Sequence, residues 1–262
     1  MGLNYIQREI EGKIRISPSS IYTLYDNPSK WYKTYIEKTV KNESNEEIVI
    51  GSIIHDRIER FYNGLEPDTD AEFEYMQQFK DLPQINEWNI ADVVNGTWNY
   101  LRDEYLRTTI KPMSQEEYLE FEPKSNPDIF VAGTYDYLYK RDNKIILGDY
   151  KTCSTLPKEI KTHNRIQLLV YALLLKLTKS VIVDEIEITY IQKANIGTIS
   201  EKTGNRIGVK KPEAIALREP ITGDDIQFIL KELKNIGDRI SFCKQDSKFI
   251  ELMFPTNYLS HF

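Results

Sequence analysis

Asp136, Asp149 and Lys151 are the residues of this chain whose types and spacing most clearly suggest chemistry. They lie in a stretch that reads as a strand (Val131 to Lys140), a polar turn (Arg141, Asp142, Asn143, Lys144), a second strand (Ile145 to Thr152), a loop, and an apolar helix from about Asn164. With Asp142-Asn143 as the central pair of a tight hairpin turn, Arg141 opposes Lys144, Lys140 opposes Ile145, and Asp136 falls opposite Asp149. Lys151, two residues beyond Asp149, shares its face. Like charges placed directly opposite one another destabilise a sheet. A sequence that accepts this cost is expected to hold a cation there. Two hard oxygen ligands beside an ammonium group suit Mg²⁺ or Mn²⁺ and a phosphate oxygen.

A solvated hairpin face fits these residues poorly. Ile145 and Leu147 share the face of the acids, while Tyr135, Tyr137, Tyr139, Ile146 and Tyr150 are expected on the other. Apolar residues on both faces point to a central, covered sheet. A structural Ca²⁺ would also use the carboxylates, but it leaves Lys151 unexplained.

The elements that position these groups follow from periodicity. Ser17-Pro18-Ser19-Ser20 offers a helix start, followed by Ile21, Leu24, Tyr25, Pro28, Trp31, Tyr32 and Tyr35. After a charged linker (Lys41 to Glu47), Ile50, Ile54, Ile58 and Phe61 recur at helical spacing up to Asn63-Gly64. His55 lies beside that stripe, where a lone histidine is more often a packed residue than a ligand. Asp70 to Lys80 and Glu87 to Thr108 read as helices separated by Pro83, within a helical insertion over residues 65–118. Trp88, Val93, Val94, Trp98, Leu101 and Tyr105 give the second of these a buried stripe. Glu117 to Glu122 alternates as a half-buried strand, with Glu120 or Glu122 either on a solvated face or reaching the acids.

Lys158, Lys161, His163 and Arg165 cluster just before the apolar helix and are candidates for holding phosphates. Asp184 to Gln192 reads as a strand, Thr203-Gly204-Asn205 as a turn, and Arg206 to Leu217 as further strand. Arg206, Lys210, Lys211 and Arg218 form a second basic area. Thr222 to Asp225 is a helix cap before the stripe Ile226, Ile229, Leu230, Leu233, Ile236 and Ile240. Residues 1–262 are therefore expected to form a single α/β domain, a central mixed β-sheet flanked by helices.

Composition narrows the class. With 40% hydrophobic and 28% charged residues the chain reads as globular and soluble, and no apolar run is long enough to span a bilayer. The start carries Arg8, Glu9 and Glu11 and no signal-type apolar core. Cys153 and Cys243 form no zinc spacing, which suits a reduced compartment. The expected location is the cytoplasm of a bacterium or phage-infected cell, with no membrane partner. A net charge of −6 argues against coating nucleic acid by bulk charge, but it allows a local basic groove with metal ions.

The ordered set also resembles a family. Gly133-Thr134-Tyr135-Asp136, Gly148-Asp149-Tyr150-Lys151-Thr152, and Gln167-x-x-x-Tyr171 look like the core motifs of the PD-(D/E)XK nucleases, in particular the RecB-like branch with its phage-type exonucleases. Gly51-x-x-x-His55 looks like the helix motif that supplies that family's histidine ligand. The resemblance implies a restriction-endonuclease-like core and Mg²⁺ or Mn²⁺ held by His55, Asp136, Asp149 and the carbonyl of Tyr150. It implies Lys151 as the catalytic amine. Gln167 and Tyr171 would help hold the lysine and the strand, with Tyr171 stacking on a base or bonding a phosphate. The opening through Asn27-Pro28 and Trp31-Tyr32 resembles the first helix of relatives that carry a cluster cysteine before that proline. Asn27 stands there instead, and no cysteine follows Phe254-Pro255-Thr256, so no iron–sulfur cluster is expected. The function implied is a DNA exonuclease of recombination, repair or phage DNA processing, with DNA and a helicase or recombination protein as partners. The alternatives are a structure-specific endonuclease and a catalytically silent nucleic-acid-binding module. The silent module would lack an acid or the lysine, and all three are present here.

Overall fold

The computed structural model describes residues 10–41, 45–80, 87–199 and 206–255. The turn at Thr203-Gly204-Asn205, the helix boundary at Pro83 and the end from Thr256 to Phe262 lie outside these residues. A short strand β1 (Ile14–Ile16) precedes helices α1 (Ser20–Asp26) and α2 (Pro28–Tyr35). The single opening helix suggested by the aromatic stripe is thus two. Pro28 has no N–H and pushes Asn27 out of the helical region (φ −148°, ψ 87°). The freed Asn27 side chain then caps α2, accepting from the N–H of Lys30 at 2.9 Å.

Helix α3 (Glu46–Tyr62) is capped by Asn45, whose side chain accepts from Ile48 N–H at 3.0 Å. Helices α4 (Thr69–Gln77) and α5 (Glu87–Tyr100) follow, and α5 runs into a π-helical turn at Leu101–Tyr105 and a 3₁₀ turn at Leu106–Thr108. Arg57 of α3 forks onto Glu72 of α4 with two bonds of 2.7 Å, both side chains buried. Strand β2 (Ser114–Phe121) begins three residues before the alternation at Glu117 marks it.

Strands β3 (Ile129–Arg141) and β4 (Lys144–Cys153) form the hairpin. Its register runs from Arg141 opposite Lys144 to Tyr137 opposite Gly148, as the turn chemistry predicts. Asp142 and Asn143 have φ of 50° and 62°, the double left-handed turn that matches strand twist. Helix α6 (Thr162–Lys179) crosses over to β5 (Glu185–Gln192), which lies parallel to β4. A two-stranded ribbon of β6 (Thr198–Ile199) and β7 (Arg206–Ile207) precedes β8 (Ala214–Pro220), antiparallel to β5. Helix α7 (Gly223–Gln245) starts in a Thr222–Asp225 capping box, and α8 (Ile250–Met253) ends the described chain.

The main sheet is mixed and six-stranded, in the order β1-β3-β4-β5-β8 with β2 also on β3, and helices cover both faces. One face carries Ile16, Trp31, Val131, Leu138, Leu147 and the apolar side of α6 and α7. The other carries α3 and α5 over Tyr137, Tyr139, Ile146 and Tyr150. Tyr135 was expected with those tyrosines but belongs to the α6 side, as does Leu138. Strict alternation would separate the two, so it breaks between them, at Asp136-Tyr137. Among the described residues, no helix is long and apolar enough to cross a membrane.

Candidate active site

The break in alternation coincides with a notch in the sheet. Val131 pairs with Phe121 of β2 and with Ile16 of β1, so these two strands lie on opposite edges of β3. On the β1 edge, β4 takes over only from Tyr137 onward. Residues 132–136 therefore have no ladder partner on that edge among the described residues, and β3 and β4 part there. Backbone groups opened by a parting ladder need new partners. The carboxylate of Asp136 supplies one, its Oδ2 accepting the N–H of Tyr150 at 2.7 Å. His55 of α3 supplies the other, with Nε2 2.7 Å from the carbonyl oxygen of Tyr150.

That second contact fixes the histidine tautomer. The Nε2 proton goes to the carbonyl, so in a neutral ring Nδ1 presents a lone pair. Nδ1 lies 3.3 Å from Asp136 Oδ2. Burial pushes the His55 pKa down, and it prevails over the pull of Asp136, so the ring is held neutral. A lone pair facing a carboxylate is a repulsive arrangement that a cation between them relieves.

A third group joins this pair. By register, Glu116 of β2 stands opposite Asp136, which in turn stands opposite Asp149 one step past the end of the β3–β4 ladder. Three carboxylates thus occupy one row across three strands. Ligand atoms of His55, Glu116 and Asp136 lie within 4.8 Å of one another. Glu116 has φ of 47°, a left-handed conformation that a non-glycine residue adopts at a cost. Its carboxyl is pushed up to about 8, first by burial and then by Asp136. Asp149 is pushed up to about 7 for the same two reasons, against the pull of Lys151. Oxygen-rich, half-buried, like-charged and joined by one imidazole, the donor set fits a divalent ion such as Mg²⁺ or Mn²⁺.

Asp149 is 2% exposed and faces the α6 side of the sheet with Leu147. Lys151 Nζ lies 2.6 Å from its Oδ2 and 2.9 Å from its Oδ1, and Gln167 of α6 donates to Oδ1 at 3.1 Å. Although it has this ion pair, Oδ2 lacks a well-aligned hydrogen bond, which leaves it acceptor capacity. Burial works against the charge of Lys151, but Asp149 and Asp136 outweigh it and raise its pKa. The lysine is therefore an ammonium at neutral pH.

The other residues singled out from sequence are variously buried, paired and exposed. Tyr171 packs against Gly133, where any Cβ would meet its hydroxyl at 2.7 Å; the glycine thus lets α6 approach β3 beside the notch. Burial, and then the charges of Asp136 and Asp149, push the Tyr171 pKa well up. Its ring is buried and has no open face for a base. Arg165 is engaged by Glu219 and Asp225 at 2.9 Å each. These two carboxylates take its Nε and Nη2 and offset its charge. Lys158, Lys161 and His163 are exposed. Burial, followed by the charges of Lys161 and Lys151, lowers the His163 pKa. In the second basic area, Arg218 is bound to the buried Glu187 and Lys211 pairs with Glu104. Glu120 accepts from Tyr118 and Glu122 pairs with Lys13, so neither turns to the notch.

Glu116 was missed because the strand reading started at Glu117. Extending it backward in register from Tyr118 would have reached Glu116 at the level of Asp136. A cavity of about 130 Å³, lined by Tyr105, Tyr137, Tyr139, Tyr150 and Glu187 among others, lies on the α3 side of the sheet rather than at the acids.

A family model described as the PD-(D/E)XK nuclease superfamily matches residues 15–247. No curated protein matches the chain significantly. Among solved structures, a "Putative exonuclease" from Eubacterium rectale aligns with a TM-score of 0.52 and 11% identity, over 95% of this chain and 87% of that one. At that identity the likeness shows the fold. The structure of SSO0001 aligns with a TM-score of 0.30 and 12% identity over 81% and 84% of the two chains, too slight a likeness to carry an argument.

Proposed function

The chain belongs to the PD-(D/E)XK nuclease superfamily, whose members hydrolyse nucleic acid with divalent metals, and on that premise we propose that it is a Mg²⁺- or Mn²⁺-dependent deoxyribonuclease acting as an exonuclease. The observation that carries this reading is the row Glu116, Asp136 and Asp149 beside His55 and Lys151, at the point where β3 and β4 part. His55 Nδ1, Glu116 and Asp136 would hold the ion, with Asp149 completing its charge. The carbonyl of Tyr150, itself expected as a ligand, orients His55 from the other ring nitrogen. A divalent ion bound there supplies Lewis acidity and a bound water of lowered pKa.

The protein's own groups do the rest. Lys151, charged and fixed by Asp149, orients the attacking water and offsets charge gathering on the phosphate. Gln167 holds Asp149 so that the lysine keeps its place. Lys158 and Lys161 offer exposed charge for neighbouring phosphates. Tyr171 fixes the approach of α6 to the notch rather than touching a base. Cytoplasmic work in recombination, repair or phage DNA processing, alongside a helicase or recombination protein, is the setting that suits such an activity.

Digestion of end-labelled linear, circular and gapped DNA with Mg²⁺ or Mn²⁺ tests the reading. Cleavage from ends of linear DNA, with closed circles spared, is expected. Cutting of closed circles would make the protein an endonuclease. Absence of metal-dependent cleavage on all three substrates would overturn the assignment.

A further inference from the structure

Stacking of a base was expected from Tyr171, and its burial leaves that task to another residue. An exposed aromatic pair stands one turn of α6 before Gln167, the residue that holds Asp149. Tyr22 projects from α1 on the face away from the buried Ile21 and Leu24, and it is 39% exposed. His163 lies in the first turn of α6, also exposed, with its ring centroid 5.1 Å from that of Tyr22 and the planes at 50°. Helices α1 and α6 pack against each other, so the pair bridges two fixed elements. Just before His163, the N–H of Lys161 donates to the hydroxyl of Tyr190, which stands opposite Lys151, and this places the pair on the lysine side of the site.

We propose that Tyr22 and His163 form a stacking platform for one unpaired nucleobase of the DNA strand entering the site, which makes a single strand or frayed end the preferred substrate. This rests on the deoxyribonuclease reading and names its substrate class. A base within closed duplex has both faces covered by its neighbours, so only an unstacked base can lie on the platform. Its aromatic face suits any of the four bases, and the platform therefore binds without sequence preference. Exposed Lys158 and Lys161, on the same approach, meet the backbone on either side of the stacked base.

The test separates the platform from the catalysis. Fluorescence anisotropy with Ca²⁺ would compare a labelled oligothymidine, an all-abasic strand of equal length and a blunt duplex, for the wild type and Tyr22→Ala. In the wild type the oligothymidine should bind more tightly than both the abasic strand and the duplex. Tyr22→Ala should cut the preference for oligothymidine over the abasic strand by about 5- to 140-fold, the affinity equivalent of one base–aromatic stack. Tyr22→Trp should restore the preference. A preference unchanged in Tyr22→Ala, or a wild type that binds duplex as tightly as the single strand, would overturn the platform. Because no cleavage is measured, failure of the nuclease reading in the digestion test leaves this comparison decisive on its own.

Discussion

Two buried carboxylates on neighbouring strands of this sheet are held in opposite ways. Glu187 of β5 takes the hydroxyls of Tyr137 and Tyr139 at 2.9 Å each, together with the guanidinium of Arg218. Asp149 of β4 takes Lys151 and Gln167 but shares its surroundings with Asp136 and Glu116. At Glu187, donors and positive charge match one acid. At the notch, Asp149 and Asp136 both bear on Lys151, and Glu116 stands beside Asp136. An acid the fold uses for its own cohesion is matched with donors by the fold. A cluster of like-charged acids, in a row that costs stability, is an arrangement that a cation from outside would relieve.

The comparison is broken most directly at the notch. Lys151→Ala and Asp149→Asn should each lower metal-dependent cleavage by on the order of 10²–10³-fold or more, while circular dichroism shows an intact fold. A variant cutting at the wild-type rate would place the chemistry elsewhere. On the structural side, Glu187→Ala strands the buried Tyr139 hydroxyl and the partly buried Arg218, and leaves Tyr137 with Thr189 alone. It should cost about 2–4 kcal/mol in denaturant unfolding, with cleavage per folded molecule changed little. If cleavage instead fell as far as in Lys151→Ala, the division between the two sites would be wrong.

Gly148→Ala is the next effect in size. A Cβ there would lie 2.0 Å from the ring of Tyr137, which passes over Gly148 to reach Glu187 and Thr189. Overpacking of this kind should cost about 1–3 kcal/mol, read as a lower urea midpoint.

The smallest expected effect is on pH dependence. Glu116 at about 8 and Asp149 at about 7 both lie above the ordinary carboxylate range near 4, raised first by burial. Between those values the native protein holds protons that the unfolded chain has lost. Metal-free stability should therefore fall as pH rises from about 4 to about 8 and level off above. Thermal melts would show this decline. Glu116→Gln should reduce the slope by removing one of the raised carboxyls, and Mn²⁺ should stabilise the wild type most at the alkaline end. A melting temperature flat across that window would remove the case for an acid row whose carboxyls are raised by burial.

Much of this was set by residues near one another in the chain. The Asp142-Asn143 turn dictated the hairpin register, and with it the relation of Asp136 to Asp149 and of Asp149 to Lys151, because a two-residue loop permits only one pairing of its strands. The helical period of Ile50, Ile54 and Ile58 determined α3 in the same local way. Distance along the chain hid the rest. Glu116 joins the row only through the long-range pairing of β2 with β3, and its sequence neighbours give no local sign of it. Whether a charge is free is likewise a tertiary matter. Arg165 and Arg218 read as part of a basic surface until Glu219, Asp225 and Glu187 from other elements arrive to occupy them. Tyr171 and Tyr22 are the same residue type on amphipathic helices, and only the packing of α6 under Gly133 buries one while α1 leaves the other open. Periodicity and turn chemistry act over a few residues, whereas charge compensation and exposure depend on which distant segments fold against them.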